Sequence, residues 1–358
     1  MVPSVGHPDL SSRRSGERPI LLNRRAATRP TITGVERWTA EVIPRLHALN
    51  PKRYEVVEPP PRARQRALAQ SWEQLALPAR AARRRASLIF SPANLAPLAW
   101  PRNVLVVHDA AVLRQPEAYS RAYRAWHRHF GLTCARRALA VITVSEFSRR
   151  ELIELAGLNP ETLVVIPGGV SERFGPDGDR VAGKLGLSRP YVLTVATDDR
   201  RKNLPALAQA AAALDKLGID LAWAGDSRPY FAQATAAAGV RPLGYVDDAD
   251  LPGLYRGALA FVLPSSYEGF GLTCLEAMAC GVPVVAADRA ALPETCADAA
   301  LLVDPDDPGA VADSVVRAAT EPALRERLRR SGVLRAAEFS WDRAARETDQ
   351  LLSDLSEV

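Results

Sequence analysis

Short apolar runs alternate with stretches of helical periodicity along almost the whole chain. In the first half, residues 19–22, 54–57, 87–90, 103–107, 140–144 and 163–166 read as strands. Their runs are continuously apolar, as expected of parallel strands buried on both faces. Helices are predicted over 35–48, over the Arg-rich 63–85 with Pro78 interrupting it, and over 117–137. Ser148 and Glu151 have the spacing of a capping box that opens a further helix. Residues 167–170, Pro-Gly-Gly-Val, turn into a linker that carries Pro176 and Gly178. The alternation then restarts. Strands are predicted at 191–195, 221–224, 242–246, 258–263, 282–286 and 301–303. Helices are predicted at 204–217, 228–238, 249–256 and 272–280, and they fill the remainder. Strands separated by helices twice over imply an α/β protein with two doubly wound sheets, whose ligand site lies where strand carboxyl ends meet. A length of 358 residues suits two such units.

Composition excludes several classes. With 47% apolar and 24% charged residues the chain is globular rather than disordered. No apolar run approaches the roughly 18 residues that span a bilayer. Residues 1–18 lack the apolar stretch of a signal peptide and read as a disordered tail on a cytoplasmic protein. The four cysteines show no Cys-x2-Cys spacing and histidine is scarce, so neither a zinc site nor a disulfide framework is expected. Charge divides unevenly: residues 1–170 hold 26 Lys and Arg against 13 Asp and Glu, and the rest hold 20 against 28. A first half at +13 is suited to an anionic membrane surface, a phosphorylated lipid or nucleic acid, or it is surface decoration. Within 117–137, Arg121, Arg124 and Arg128 share a face beside Tyr123, Trp126 and Phe130. That pattern fits a membrane interface or an ordinary helix with its aromatic side in the core.

The densest chemistry lies in residues 264–285. There a strand meets a Gly-rich turn, a short helix, Gly281 as a stop, and another strand beyond Pro283. Gly269 and Gly271 let the backbone approach a ligand closely. They feed into a helix start, whose free N–H groups and positive dipole end favour a diphosphate. Glu268 precedes that helix and Glu276 lies inside it. Carboxylates so placed flank a bound diphosphate and accept hydrogen bonds from paired hydroxyls, one towards a sugar and one towards a ribose.

Taken whole, this string resembles the Glu-x7-Glu signature of retaining glycosyltransferase family 4, of the type that builds bacterial surface polysaccharides. Other stretches are similar to that family: Thr33-Gly34-Val35, Val107-His108-Asp109, Thr143-Val144-Ser145-Glu146 and residues 166–170. In the second half they include Arg201-Lys202-Asn203, Gly244-Tyr245-Val246, Leu292-Pro293-Glu294 and Asp304-Pro305. The likeness spans roughly residues 19–350. Ala196 stands where the family commonly has Gly, and Gly168 where it commonly has Asn.

The resemblance implies the GT-B fold, with two Rossmann-like doubly wound domains facing a cleft. Residues 19–172 would form the acceptor-side domain and 173–340 the nucleotide-sugar domain. A helix over 341–358 would cross back to the first domain. It implies transfer with retention of a hexose from a nucleotide diphosphate sugar, best guessed as GDP-mannose, to a saccharide or lipid-linked acceptor. Arg201 and Lys202, at a strand's carboxyl end, would neutralise the leaving diphosphate without a metal or other cofactor. Gly34, Gly269, Phe270, Gly271, Leu272, Thr273 and Glu276 would line the donor, and Glu268 would face its sugar. His108 would orient a hydroxyl of sugar or acceptor. Arg201, Lys202 and Glu276 are expected at loop or cleft edges, and the pairs Asp198-Asp199 and Asp247-Asp248 as solvated turns. Two alternatives are an epimerase or hydrolase on the same architecture, for which the chain lacks a good acid/base set, and a basic RNA-binding module. Nucleic acid is not expected as the partner.

Overall fold

The computed structural model describes residues 18–29, 34–225 and 238–357. The expected tail, apart from residue 18, lies outside the described residues, as do Thr33 and all but the last position of the helix expected near 228–238. In the first half the chain runs β1 (Ile20–Asn23), α1 (Gly34–Leu49), β2 (Tyr54–Val57), α2 (Arg66–Arg84), β3 (Leu88–Ser91) and β4 (Asn103–Val106). It continues through α3 (Ala111–Arg114), α4 (Arg121–Trp126), α5 (Leu132–Arg137), β5 (Ala140–Thr143), α6 (Glu146–Ala156) and β6 (Leu163–Val165). The six strands form one parallel sheet in the order β2-β1-β3-β4-β5-β6.

A second parallel sheet follows. Its elements are β7 (Tyr191–Val195), α7 (Ala208–Asp215), β8 (Asp220–Ala224), β9 (Val240–Gly244), α8 (Leu251–Gly257), β10 (Phe261–Leu263) and α9 (Leu272–Ala279). Then come β11 (Val284–Ala287), α10 (Leu292–Cys296), β12 (Ala300–Val303), α11 (Pro308–Thr320), α12 (Pro322–Ala337) and α13 (Trp341–Glu357). The strand order is β12-β11-β10-β7-β8-β9. The direction of winding therefore reverses between β1 and β3 in one sheet and between β7 and β10 in the other. Ligands of doubly wound sheets bind outside the strand carboxyl ends at such reversals.

Alternate residues of each strand enter different cores. Tyr191, Leu193, Phe261 and Leu263 face one apolar cluster, while Val192 and Val262 face another. In the first sheet Ile20, Leu22, Leu88 and Phe90 separate in the same way from Leu21 and Ile89. Two-sided burial explains the unbroken apolar runs.

The last helix belongs to the first sheet's core. Trp341, Ala344, Ala345 and Leu352 of α13 pack with Trp38, Ile43, Phe90 and Ile142. Arg53 Nη1 donates to Ser353 Oγ at 2.6 Å, and Arg45 pairs with Asp342 at 2.7 Å. The chain thus crosses between the domains twice, at 167–176 and 338–341, and the Val170 amide joins the crossings by donating to the Phe339 carbonyl at 3.0 Å. A Cβ on Gly169 would fall 2.2 Å from the Trp341 nitrogen, so only glycine fits. At Gly168 a Cβ would lie 3.1 Å from the Trp341 ring. A cavity of about 350 Å³ opens beside these crossings, lined in part by Val170, Phe174, Phe339 and Trp341.

Three local expectations are corrected. Pro78 does not interrupt α2, because Leu77 and Ala81 are both buried against the sheet and hold the helix on either side of it. The 117–137 segment begins its helix only at Arg121, after Ser120, whose hydroxyl accepts from the Tyr123 amide at 3.3 Å. A π turn over His127–Gly131 then separates α4 from α5. Ser145, not Ser148, caps α6: its hydroxyl accepts from the Ser148 amide at 3.0 Å, so Ser148 lies already inside the helix. The short α10 has too little periodicity to be read from sequence.

Candidate active site

The loop after β7 is built around one buried acid. Asp199 is fully buried and takes bonds from Thr197 Oγ1 at 2.7 Å and the Arg201 amide at 3.0 Å. The Arg201 guanidinium grips the same carboxylate, Nε to Oδ1 at 3.1 Å and Nη2 to Oδ2 at 3.2 Å. It also lies 5.4 Å from the centre of the Tyr119 ring, close enough for a cation–π contact with the first domain. Burial disfavours the cation, but Tyr119, Asp199, Asp109 and Glu268 more than offset it and raise its pKa. Asn203 ends the turn in the left-handed region at φ 50°, with its amide on the Pro305 carbonyl at 2.9 Å. The expectation of solvated acids and a cleft-edge arginine is therefore wrong here: Asp199 and Arg201 are a buried pair that fixes the turn.

The turn between β10 and α9 faces that loop. Ser266 donates its amide to the Arg201 carbonyl at 2.7 Å, and Lys202 Nζ meets Glu268 Oε1 at 2.5 Å. Lys202 and Glu268 keep 15% and 12% of their side chains exposed, so this pair, unlike Asp199–Arg201, is open to a ligand. Gly269 is pressed against the first domain: a Cβ would sit 2.7 Å from both Asp109 Cβ and the His108 carbonyl. Its carbonyl accepts from Ser145 Oγ at 2.7 Å and Ser148 Oγ at 3.0 Å. Gly271 opens α9 at φ 98°, a backbone that L side chains rarely adopt. Phe270 and Leu272 pack into the first sheet's core, and Thr273 is half-buried near the helix start. The domains are further joined by Glu294, whose carboxylate accepts from the Glu146 and Phe147 amides at 2.7 and 2.9 Å and so caps α6 from across the cleft.

Glu276 is buried, and Tyr255 donates its hydroxyl to Oε2 at 3.2 Å. The other oxygen lies 3.5 Å from Nε of Arg37, which reaches over from α1. Burial raises the Glu276 pKa, while Arg37, Arg173 and Tyr255 act to lower it. Arg37 also forks onto Asp248 at 2.7 and 3.1 Å, and Arg173 joins the same carboxylate at 3.0 Å. Asp248 is therefore a bridge and not a solvated turn residue, while Asp247 is exposed. Burial would raise the Asp248 pKa, but Arg37 and Arg173 bring it below the usual value.

His108 sits two residues beyond β4, its Nε2 3.1 Å from the Pro92 carbonyl and Trp38 edge-on to its ring. Burial lowers its pKa, partly opposed by the Pro92 bond, Asp109 and Glu36, so the ring is neutral at pH 7. With Nε2 donating to Pro92, Nδ1 is the acceptor. Gly34 begins α1, and a Cβ there would meet no atom within 4 Å.

Sequence reading thus brings Lys202, Arg201, Glu268, Gly269 and Gly271 together at the second reversal point, and His108 faces them through its carbonyl. It missed Arg37, Asp109, Tyr119, Tyr267 and Glu294. Tyr267 accepts from the Ala110 amide at 3.2 Å, and Asp109 acts electrostatically on Arg201, His108 and Tyr119. None of the five carries a local signal except Asp109, Tyr267 and Glu294, which lay inside motifs but were given no role.

Comparison with known proteins places these features in context. Residues 32–174 match the model for Glycosyltransferase Family 4, and residues 189–321 that for Glycosyl transferases group 1. The chain is 34% identical over 265 residues to the O-antigen chain mannosyltransferase B of Escherichia coli, covering 69% of each protein. Among solved structures it resembles sucrose-phosphate synthase from Thermosynechococcus elongatus (TM-score 0.75, 23% identity, 95% and 99% of the chains). It also resembles HepE of Anabaena in complex with UDP and glucose (TM-score 0.71, 20% identity, 94% and 100%). At these identities the structural likeness shows the GT-B fold alone.

Proposed function

From the premise that the chain belongs to glycosyltransferase family 4, we propose that it moves mannose from GDP-mannose to a saccharide or lipid-linked acceptor in cell-surface glycan synthesis, with retention and without a divalent metal. The observation that carries the donor site is the convergence of Arg201, Lys202 and Glu268 with the Gly271 start of α9. A diphosphate there would receive the Lys202 ammonium, the field of Arg201, and the free amides and positive dipole end of α9. Fixed donors aimed at charge that develops on a leaving group lower the barrier without reorganisation. Glu268 would face the sugar and Glu276 the ribose hydroxyls. Neutral His108 would accept from a sugar hydroxyl through Nδ1, and it is too weak a base to deprotonate the acceptor. The acceptor hydroxyl would attack from the face the diphosphate leaves, and the departing phosphate oxygen would take its proton.

Mannose is favoured by the mannosyltransferase relative. A UDP-sugar is the second reading, because the solved HepE neighbour holds UDP. No helix among the described residues is long and apolar enough to cross a membrane. We infer that the protein acts at the cytoplasmic face of the membrane, with the first domain inward, on the strength of its +13 half. Several of its arginines are paired within the domain, Arg80 and Arg84 with Glu55 and Arg64 with Glu58, and the +13 is what remains beyond such pairs. Trp126 and Phe130 pack against the core, and Arg121, Arg128, Arg136 and Arg137 are exposed basic residues of that segment.

The purified protein should be given GDP-mannose, UDP-glucose and dTDP-glucose with soluble mannosides or extracted lipid-linked acceptors, with and without EDTA. Release of GDP that survives EDTA is the expected result. Release only of UDP or dTDP would replace the donor, and loss of turnover in EDTA would remove the metal-independent mechanism.

A further inference from the structure

Arg37 has no local reason to be buried. It stands one turn into α1, in the first domain, yet only 9% of its side chain is exposed. Its partners come from three separate places in the rest of the chain: Asp248 beyond β9, Glu276 on α9 and, through Asp248, Arg173 at the crossing. The fork onto Asp248 uses both Nη atoms, at 3.1 and 2.7 Å, which fixes the guanidinium plane. That leaves Nε facing Glu276 Oε1 at 3.5 Å, longer than an ordinary hydrogen bond but within ion-pair range. Glu276 Oε1 therefore keeps lone pairs for a hydroxyl, while the cation sits beside it.

We propose that Arg37 is a positioning residue for the nucleoside: held by Asp248, it reaches across the cleft and keeps the Glu276 carboxylate oriented and charged for the ribose. The proposal rests on the reading of Glu276 as the ribose-facing acid. It also makes that acid complete only when the domains are closed, since the guanidinium arrives from α1. A carboxylate buried without a partner takes up a proton rather than stay charged. The charged and titratable groups around Glu276 are Arg37, Arg173, Asp248 and Tyr255, with Cys280 also within electrostatic reach. Burial pushes the carboxyl up, Asp248 pushes it the same way, and Arg37 is the largest influence holding it down, the balance lying above the usual carboxylate value. Without Arg37 the acid would hold its proton to higher pH. Binding that needs the carboxylate would then fall as pH falls.

The test is calorimetric binding of GDP or UDP, whichever the wild-type protein binds more tightly, from pH 6 to 8.5. The proteins are wild type, Arg37→Met, Arg37→Lys, Glu276→Gln and the Arg37→Met/Glu276→Gln pair, each checked for native near-UV circular dichroism. Among the proteins that keep Glu276, wild type should weaken least as pH falls. Arg37→Met should bind about ten-fold more weakly than wild type at pH 6 and recover to within about three-fold of it at pH 8.5, because the adjacent opposite charge that favours the carboxylate is lost. Arg37→Lys should follow wild type, and the double variant should be flat and no weaker than Glu276→Gln. Arg37→Met equal to wild type, or uniformly weaker in both backgrounds, would overturn the positioning role while leaving a weakened Glu276→Gln to support the ribose reading. An Arg37→Lys profile that matches Arg37→Met would overturn the role of its charge. Glu276→Gln equal to wild type, or no binding of either nucleotide by wild type, would overturn the ribose reading and this proposal with it.

Discussion

Truncating the two basic residues of the β7 loop should separate structural from catalytic charge. Arg201→Ala removes the guanidinium that holds the fully buried Asp199. Removing one partner of a buried ion pair costs about 3–5 kcal/mol, because the other charge is left uncompensated. The Thr197 hydroxyl and the residue 201 amide still reach Asp199 at 2.7 and 3.0 Å, so the lower end, about 3 kcal/mol, is expected. Lys202→Ala leaves Glu268, which water reaches, and should cost about 1 kcal/mol, as for accessible pairs. Lys202→Ala should lose on the order of 10²–10³ in turnover, the usual effect of removing a fixed donor to developing charge, and Arg201→Ala should lose turnover through its field and the turn it holds. Urea unfolding followed by tryptophan fluorescence, together with initial rates of nucleoside diphosphate release, measures both quantities. An Arg201→Ala protein within about 1 kcal/mol of wild type would refute the assignment of a buried, structure-bearing pair.

Three further outcomes follow from single contacts. Gly269→Ala should lower turnover without loss of far-UV circular dichroism, because its Cβ would collide with backbone of the first domain at 2.7 Å and hold the cleft ajar; an increased radius of gyration in solution scattering checks it, and an unchanged radius contradicts it. His108 has its pKa lowered by burial, so the native state binds fewer protons than the unfolded chain, whose histidine titrates near about 6.5. Its contribution to stability is present above that pH and is lost as pH falls, and His108→Asn should flatten the fall in melting temperature between pH 7 and 5; an unchanged slope would discount it. Sedimentation with anionic vesicles at low salt should exceed that with neutral ones and decline at moderate salt, since exposed basic residues contribute about 1 kcal/mol each near an anionic leaflet. Equal sedimentation would leave the charge asymmetry as decoration and favour a soluble acceptor.

The strands were legible because both faces of each sheet are buried, so that apolar runs need no knowledge of partners. The donor turn was legible because its glycines are required locally, by the φ of Gly271 and by the close approach at Gly269. What escaped reading depends on distance along the chain. Arg37 meets Asp248 across 211 residues, and in sequence it is merely one more arginine on an amphipathic helix. Asp199 and Asp248 read as solvated acids because adjacent aspartates usually are; only the fold brings Arg37 and Arg173 to Asp248, and only the burial of the β7 turn makes a pair of Asp199 and Arg201, which are two residues apart. Ser145 and Ser148 both suit a cap, and the choice between them was made by where β5 ends.

The site of the diphosphate is most directly tested by a structure of the protein with GDP bound at saturation. The diphosphate oxygens are expected within about 3 Å of Lys202 Nζ and the amides that open α9, with the ribose hydroxyls at Glu276 and Arg37 still forked onto Asp248. A nucleotide seated instead in the cavity beside the domain crossings, against Phe174 and Trp341, or a site at Lys202 left empty at saturation, would contradict that assignment.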